Sequence, residues 1–278
     1  MRRFLLTTCA AGAALLALAA PAGARRDDVR TVTRSFNLKQ GNSNLKLSCP
    51  KGFVALSGGP RVVPPGVEIG RSVPGETRRS WLFSFSSQAP SAVLAEVRCG
   101  NVSFNGRHHV RYQLGTAAAT QATVSAGSSL RLSLKCANGL VPTGLGQDQT
   151  PVPDGGPRQP GAISIQSALL TNRGFVLRLR NNGTTTAEGD YHLRCLERTV
   201  DGQGLEVRKQ TFRDQLGGSG HLKHACKRGQ SALATGWVLP SADTTLSSSY
   251  LSSIRWGHWD FRLGQSRPKV KTTLLCLA

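Results

Sequence analysis

Apolar and polar residues alternate along much of this chain. In the run Leu130-Arg131-Leu132-Ser133-Leu134-Lys135-Cys136 the leucines and the cysteine fall on one parity, and Arg131, Ser133 and Lys135 on the other. Leu45, Leu47 and Cys49 repeat the pattern against Lys46 and Ser48. Val93, Ala95, Val97 and Cys99 stand against Glu96 and Arg98, and Phe175, Leu177 and Leu179 against Arg178 and Arg180. A period of two marks a strand with one face on a core and the other in water. The runs are short and are separated by Gly, Pro, Ser and Asn, so the pattern predicts an all-β chain built of sandwich-like units.

The runs recur. Aligned on Cys49, Cys136 and Cys226, each copy has a leucine four residues earlier (Leu45, Leu132, Leu222), a glycine three residues later (Gly52, Gly139, Gly229) and another ten residues later (Gly59, Gly146, Gly236). Each copy closes on a second cysteine, Cys99, Cys195 or Cys276, preceded by an aromatic-bearing alternating run that starts at Trp81, Phe175 or Trp259. The period of 80 to 95 residues is longer than the 20–50 of solenoid repeats, so each copy is a small domain. The expected organisation is 25–115, 116–205 and 206–278, with separators at Gly115 to Ser125 and Glu197 to Gly220 and a Pro/Gly-rich insertion loop over 147–161. The first glycine is expected to end a strand in a turn, and the second to mark a bulge or a close backbone approach.

Composition narrows the class. Of 278 residues 39% are hydrophobic and 18% charged, which is too apolar for a disordered chain. Thirty-one Gly and 14 Pro suit strands and turns, and exclude a coiled coil, a collagen and a polytopic membrane protein. No run of helix formers alternates with strands, which argues against a nucleotide-binding α/β enzyme. Arg2 and Arg3, the apolar stretch Phe4 to Ala20 and the small-residue site Ala22-Gly23-Ala24 have the layout of a secretory signal peptide over 1–24. Cys9 stands too early in that apolar stretch for lipidation, and no second segment approaches the ~20 apolar residues that span a bilayer.

Export sets how the cysteines are read. Cys9 leaves with the signal peptide, and an even six remain: Cys49, Cys99, Cys136, Cys195, Cys226 and Cys276. An even count in an oxidising compartment argues for three disulfides. Six cysteines allow 15 pairings, and the repeat selects the one inside each unit: Cys49–Cys99, Cys136–Cys195 and Cys226–Cys276. Each closes a loop worth about 4 kcal/mol in the chain-entropy model.

The pattern Cys-Pro-x-Gly, then Gly-Gly, then an aromatic strand and a closing cysteine resembles secreted repeat domains common in high-GC bacteria. Cys49-Pro50-Lys51-Gly52 with Gly58-Gly59 carries the resemblance most fully, whereas the second and third units lack the proline and one glycine. The resemblance covers most of the mature chain. It implies a fold and a secreted or periplasmic location, and no activity.

Charge is the strongest functional signal. The formal net charge is +20 from 35 basic and 15 acidic residues, and loss of Arg2 and Arg3 leaves +18. Outward strand positions hold Lys46, Arg98, Arg131, Lys135, Arg178, Arg180, Arg194 and Arg262. Arginine-bearing sheet faces suit bidentate contact with phosphate, sulfate or carboxylate. Export makes the expected partner an anionic polymer (envelope polysaccharide, lipid head group or extracellular DNA) or an acidic protein. The opposing reading is that coding bias supplies the arginines and the charge only keeps the protein soluble.

Catalytic patterns are sparse. The sequence has no Gly-x-Ser-x-Gly elbow, no Walker or Rossmann glycine pattern and no His-Glu-x-x-His. Adjacent His108 and His109 point to opposite faces of a strand. His221-x-x-His224-x-Cys226 has metal-like spacing, but Cys226 is assigned to a disulfide, so no metal or cofactor is expected. Glu188 and Asp190 lie in a Gly/Thr-rich turn and read as solvated. The expectation is an exported, non-enzymatic binding or structural protein of the cell surface or extracellular space. One alternative is a self-associating structural subunit pairing through strand edges. The other is a secreted hydrolase, with His192, His258 and Asp260 the first residues to inspect.

Overall fold

The computed structural model describes residues 29–102, 114–115, 118–150, 161–197, 199–200, 203–204, 206–217, 220–239, 245–252, 255–262 and 268–277. The expected signal peptide, His108 and His109, and most of the expected loop at 147–161 lie outside them. Every period-two run noted above is a strand. The first set of six comprises β1 (Val29–Leu38), β2 (Gly41–Ser48), β3 (Phe53–Val62), β4 (Val67–Pro74), β5 (Ser80–Ser87) and β6 (Ser91–Asn101). The second comprises β7 (Ala118–Val124), β8 (Ser129–Lys135), β9 (Leu140–Asp148), β10 (Ile163–Leu170), β11 (Gly174–Asn181) and β12 (Ala187–Glu197). A two-residue ladder, β13 (Thr199–Val200) with β14 (Gln203–Gly204), precedes the third: β15 (Val207–Gln215), β16 (His221–Ala225), β17 (Ser231–Val238), β18 (Thr245–Ser252), β19 (Trp256–Arg262) and β20 (Lys269–Leu277).

Pairing is the same in all three sets. The first, sixth and third strands form one ladder (β1-β6-β3, β7-β12-β9, β15-β20-β17), and the second, fifth and fourth another (β2-β5-β4, β8-β11-β10, β16-β19-β18). The disulfides Cys49–Cys99, Cys136–Cys195 and Cys226–Cys276 are all present. The glycines three residues past the first cysteine turn the chain with φ of 84°, 78° and 84° at Gly52, Gly139 and Gly229, a conformation that glycine adopts without a Cβ penalty. One β-bulge recurs as well. Leu56, Thr143 and Leu233, each seven residues past the first cysteine, are the extra residue of the third strand of their set. The bulges face the centre, where Thr143 Oγ1 donates to the Leu56 carbonyl at 2.8 Å.

The sets do not close into separate sandwiches, which corrects the expected architecture. A three-stranded ladder leaves two unpaired edges, and here those edges join neighbouring sets. β4 pairs with β9, and β10 with β17, giving two six-stranded sheets that cross from set one to two and from set two to three. With the three-stranded sheets β1-β6-β3 and β16-β19-β18 this makes four principal sheets arranged like propeller blades. The two small sheets meet where β18 lies beside β3, so the sets follow one another in a cycle.

The glycines ten residues past the first cysteine make these junctions. A Cβ on Gly146 would lie 2.6 Å from the Ser72 carbonyl oxygen of β4, and one on Gly236 2.7 Å from the Ala168 carbonyl oxygen of β10. At the third junction the equivalent approach, Gly59 to the Ser249 carbonyl oxygen, is looser at 3.6 Å, and no ladder joins β3 to β18. The sequence explains why. Gln147 and Trp237, eleven residues past their cysteines, pair with Ser72 and Ala168, and the corresponding residue of β3 is Pro60, which has no N–H to donate. Set one packs a core of its own around Trp81, Phe83 and Phe85, whereas sets two and three share one continuous core that also takes in Val29, Val54 and Leu56 of set one.

Candidate binding site

The eight cations expected on outward positions part into three groups. Lys46, Arg131, Lys135 and Arg178 are exposed, and Arg180 is half-buried. Arg98 and Arg194 are not outward at all: they are 2% and 7% exposed. Alternation assigns them the face opposite Cys99 and Cys195, but β6 and β12 are covered on both faces because adjacent sets pack over the second one. Glu96, also expected outward, is buried for the same reason. The side chain of Arg262 lies outside the described residues.

Two of these cations, Arg131 and Arg178, belong to a row with exposed Arg213 and half-buried Lys271. Following direct cross-strand partners over one six-stranded sheet, Arg213 of β15 stands opposite Lys271 of β20, which stands opposite Val238 of β17. Val238 stands opposite Ser167 of β10, then come Arg178 of β11 and Arg131 of β8. Directly opposed residues share a sheet face, so four cations lie on one line, two at each end, with Ser167 and Val238 between. Strands spaced by about 4.8 Å make the line roughly 24 Å long. Ser167, Val238, Arg131 and Arg178 line a shallow hollow on this face. Like charges directly opposite destabilise a sheet, and none of the four cations forms an ion pair among the described residues. Arg213 and Lys271 escape a reading of the sequence one strand at a time; only the register aligns them with Arg131.

The metal-like spacing resolves into other contacts. Cys226 is disulfide-bonded, His221 Nδ1 meets Asp260 Oδ1 at 2.6 Å, and His224 Nε2 meets Asp214 Oδ2 at 2.9 Å while stacking on Phe212. Of the residues considered for a hydrolase, His258 and Asp260 share β19, but His192 sits on β12 in another sheet.

A cavity of about 480 Å³ occupies the centre of the cycle and is lined by all three sets. Set one supplies Ser57 to Pro60, Glu96 and Arg98, set two Gln147, Gln166, Arg180 and Asn182, and set three Trp237 and Tyr250. The β3–β18 junction forms part of its wall. There Arg61 lies 5.1 Å over the Tyr250 ring, and Tyr250 stacks on His258 at 4.8 Å. Glu96, directly across from Gly59, accepts a hydrogen bond from the backbone N–H of Leu251 on β18.

Burial drives the unusual proton affinities. Desolvation raises the Glu96 carboxyl to about 7, against the lowering influence of Arg61 and Arg98. Desolvation lowers His258 to about 4, with His221, Lys223 and Arg61 acting in the same direction and Asp260 opposing. Desolvation, and then Arg78, lowers Arg194 to about 10.

A pH dependence of stability follows. Between pH 4.5 and about 7 the folded state holds a proton on Glu96 that the unfolded chain releases, so stability falls as pH rises through that window. His258 acts in the opposite sense: its stabilising neutral form is lost as pH falls from 6.5 through about 4. Glu96→Gln should therefore leave stability at pH 5 little changed and raise it at pH 8 by roughly 3 kcal/mol at most. Urea midpoints at the two pH values check this, and an equal shift at both would contradict it.

No protein-family model matches the chain, and no curated protein matches it.

Proposed function

We propose that this is an exported, non-enzymatic protein of the bacterial cell surface or extracellular space that binds an anionic polymer across the face of sheet β15-β20-β17-β10-β11-β8. The row Arg213, Lys271, Arg178, Arg131 carries the reading. Cations held opposite each other gain most from an anion placed between them, and roughly 24 Å of spaced cations suits a chain of repeated charges better than a single small ion. Envelope polysaccharide, lipid head groups and extracellular DNA all present such charges. Three disulfides are compatible with an oxidising compartment.

Retention of the oxidised mature chain on immobilised heparin along a NaCl gradient tests the proposal. The wild type should elute well above physiological ionic strength, about 0.15 M. Arg131→Ser with Arg178→Ser should elute earlier and reduce the slope of log affinity against log salt by about two, and adding Arg213→Ser and Lys271→Ser by about four. Unchanged elution of the fourfold variant would reject the sheet face. Release of the wild type at low salt would leave the charge as a solubility device.

A further inference from the structure

The central cavity combines polar groups that the polymer-binding face does not use. Its volume of about 480 Å³ is typical of small-ligand sites, which run from about 300 to 1,000 Å³. Three side-chain amides, Gln147, Gln166 and Asn182, come from set two, a buried carboxyl, Glu96, from set one, and two aromatic rings, Trp237 and Tyr250, from set three. The cavity therefore exists only when all three sets are assembled. Within its wall Glu96 Oε2 and Trp237 Nε1 are buried and have no hydrogen-bond partner among the described residues, the first an acceptor and the second a donor.

From this set of groups we infer that the cavity binds a sugar ring. A sugar hydroxyl both donates and accepts, so one kind of group satisfies a carboxylate, an indole N–H and amides that carry both functions. The apolar face of a pyranose fits against aromatic rings whose edges are polar, as in Trp237 and Tyr250. A fatty chain would leave the amides and Glu96 unpaired, at the full cost of their desolvation. A phosphate dianion has no donor to offer the Glu96 carboxylate, whereas a sugar acid keeps its hydroxyls. Arg98 and Arg180 in the same lining accommodate either a neutral sugar or one that carries a carboxylate.

Isothermal titration and saturation-transfer NMR of the oxidised mature chain at pH 8, with glucose, galactose, mannose, N-acetylglucosamine, glucuronate and galacturonate, test the inference. At least one should bind with a Kd below about 10 mM. Glu96→Gln should weaken that binding about tenfold, the loss expected for a hydrogen bond to a charged group, and Trp237→Phe severalfold by removing the indole donor. Asn182→Ala, at an exposed position of the lining, should weaken binding without risk to the fold and decides the matter if either buried variant unfolds. Binding of neutral sugars points to a neutral ring and binding of uronates alone to an acidic one. The Arg131→Ser, Arg178→Ser chain should bind as the wild type does, which separates this site from the sheet face. Failure of all six sugars, or binding that survives every cavity substitution, would overturn the inference.

Discussion

A chain with Cys136 and Cys195 both replaced by alanine should be about 4 kcal/mol less stable than the wild type, from loop entropy alone. The bond closes a separation of 59 residues, and a loop of that length has much freedom to regain when cut. Neither cysteine is solvent-exposed: Cys136 is 1% and Cys195 0% exposed. Removing both sulfurs also deletes packed volume from the core that sets two and three share, which adds to the loss. Set two is the costliest place to make the cut, because it is the set joined by ladders to both neighbours, through β9 and β10. Urea denaturation of the purified double variant measures the effect. A midpoint within error of the wild type would show that the unfolded chain is not constrained by this bond.

Gly146→Val should be nearly as damaging, at about 3 kcal/mol or more, although it adds only a small side chain. The new Cβ would sit 2.6 Å from the Ser72 carbonyl oxygen and 3.0 Å from the Val73 Cα. Both are backbone atoms that cannot rotate away. Relief requires β9 to separate from β4, whose ladder consists of two register pairs, Arg71 with Asp148 and Ser72 with Gln147. An Arg71–Asp148 ion pair at 2.8 Å, also on this junction, would be strained at the same time. The control is Gly217→Ala, where an added Cβ meets nothing within 4 Å and the change should stay within about 0.5 kcal/mol. Equal stability of the two variants would mean that the β4–β9 junction contributes little to the fold.

Strands and disulfides were legible in the sequence because both follow from short-range rules. Alternation marks Leu130 to Cys136 as a strand wherever it goes, and a pattern of two cysteines repeated three times leaves one sensible pairing. Burial of Glu96, Arg98 and Arg194 was not legible, because parity reports which face a residue occupies and not whether another set covers that face. The sets carry one further shared residue. Arg79, Arg173 and Arg255, each just before the aromatic-bearing strand of its set, all accept from the backbone N–H of the first cysteine through their carbonyl oxygens, at 2.7, 2.7 and 2.9 Å. Arg79 and Arg255 also return their guanidiniums to that cysteine's carbonyl, each with Nη2 at 2.8 Å. The cavity had the weakest signature of all. Its lining is assembled from short stretches of all three sets that lie far apart in the chain, and the residues at equivalent positions, such as Gln147, Trp237 and Pro60, share no residue type.

Pro60 has a further consequence for how the molecule comes together. As the chain folds, the ladders between sets one and two and between sets two and three can form as successive stretches become available, while the last contact must wait for the two ends of the cycle. Until then β3 and β18 are free borders, and two such arcs could join head to tail into a growing filament. A border strand that lacks a donor at Pro60 and carries a cation at Arg61 gives an incoming β18 from another molecule little to grip. Contact with the chain's own β18 benefits from a tether that holds the partners at high effective concentration. The weakest junction of the cycle thus acts as a clasp that closes within one molecule and resists linking two.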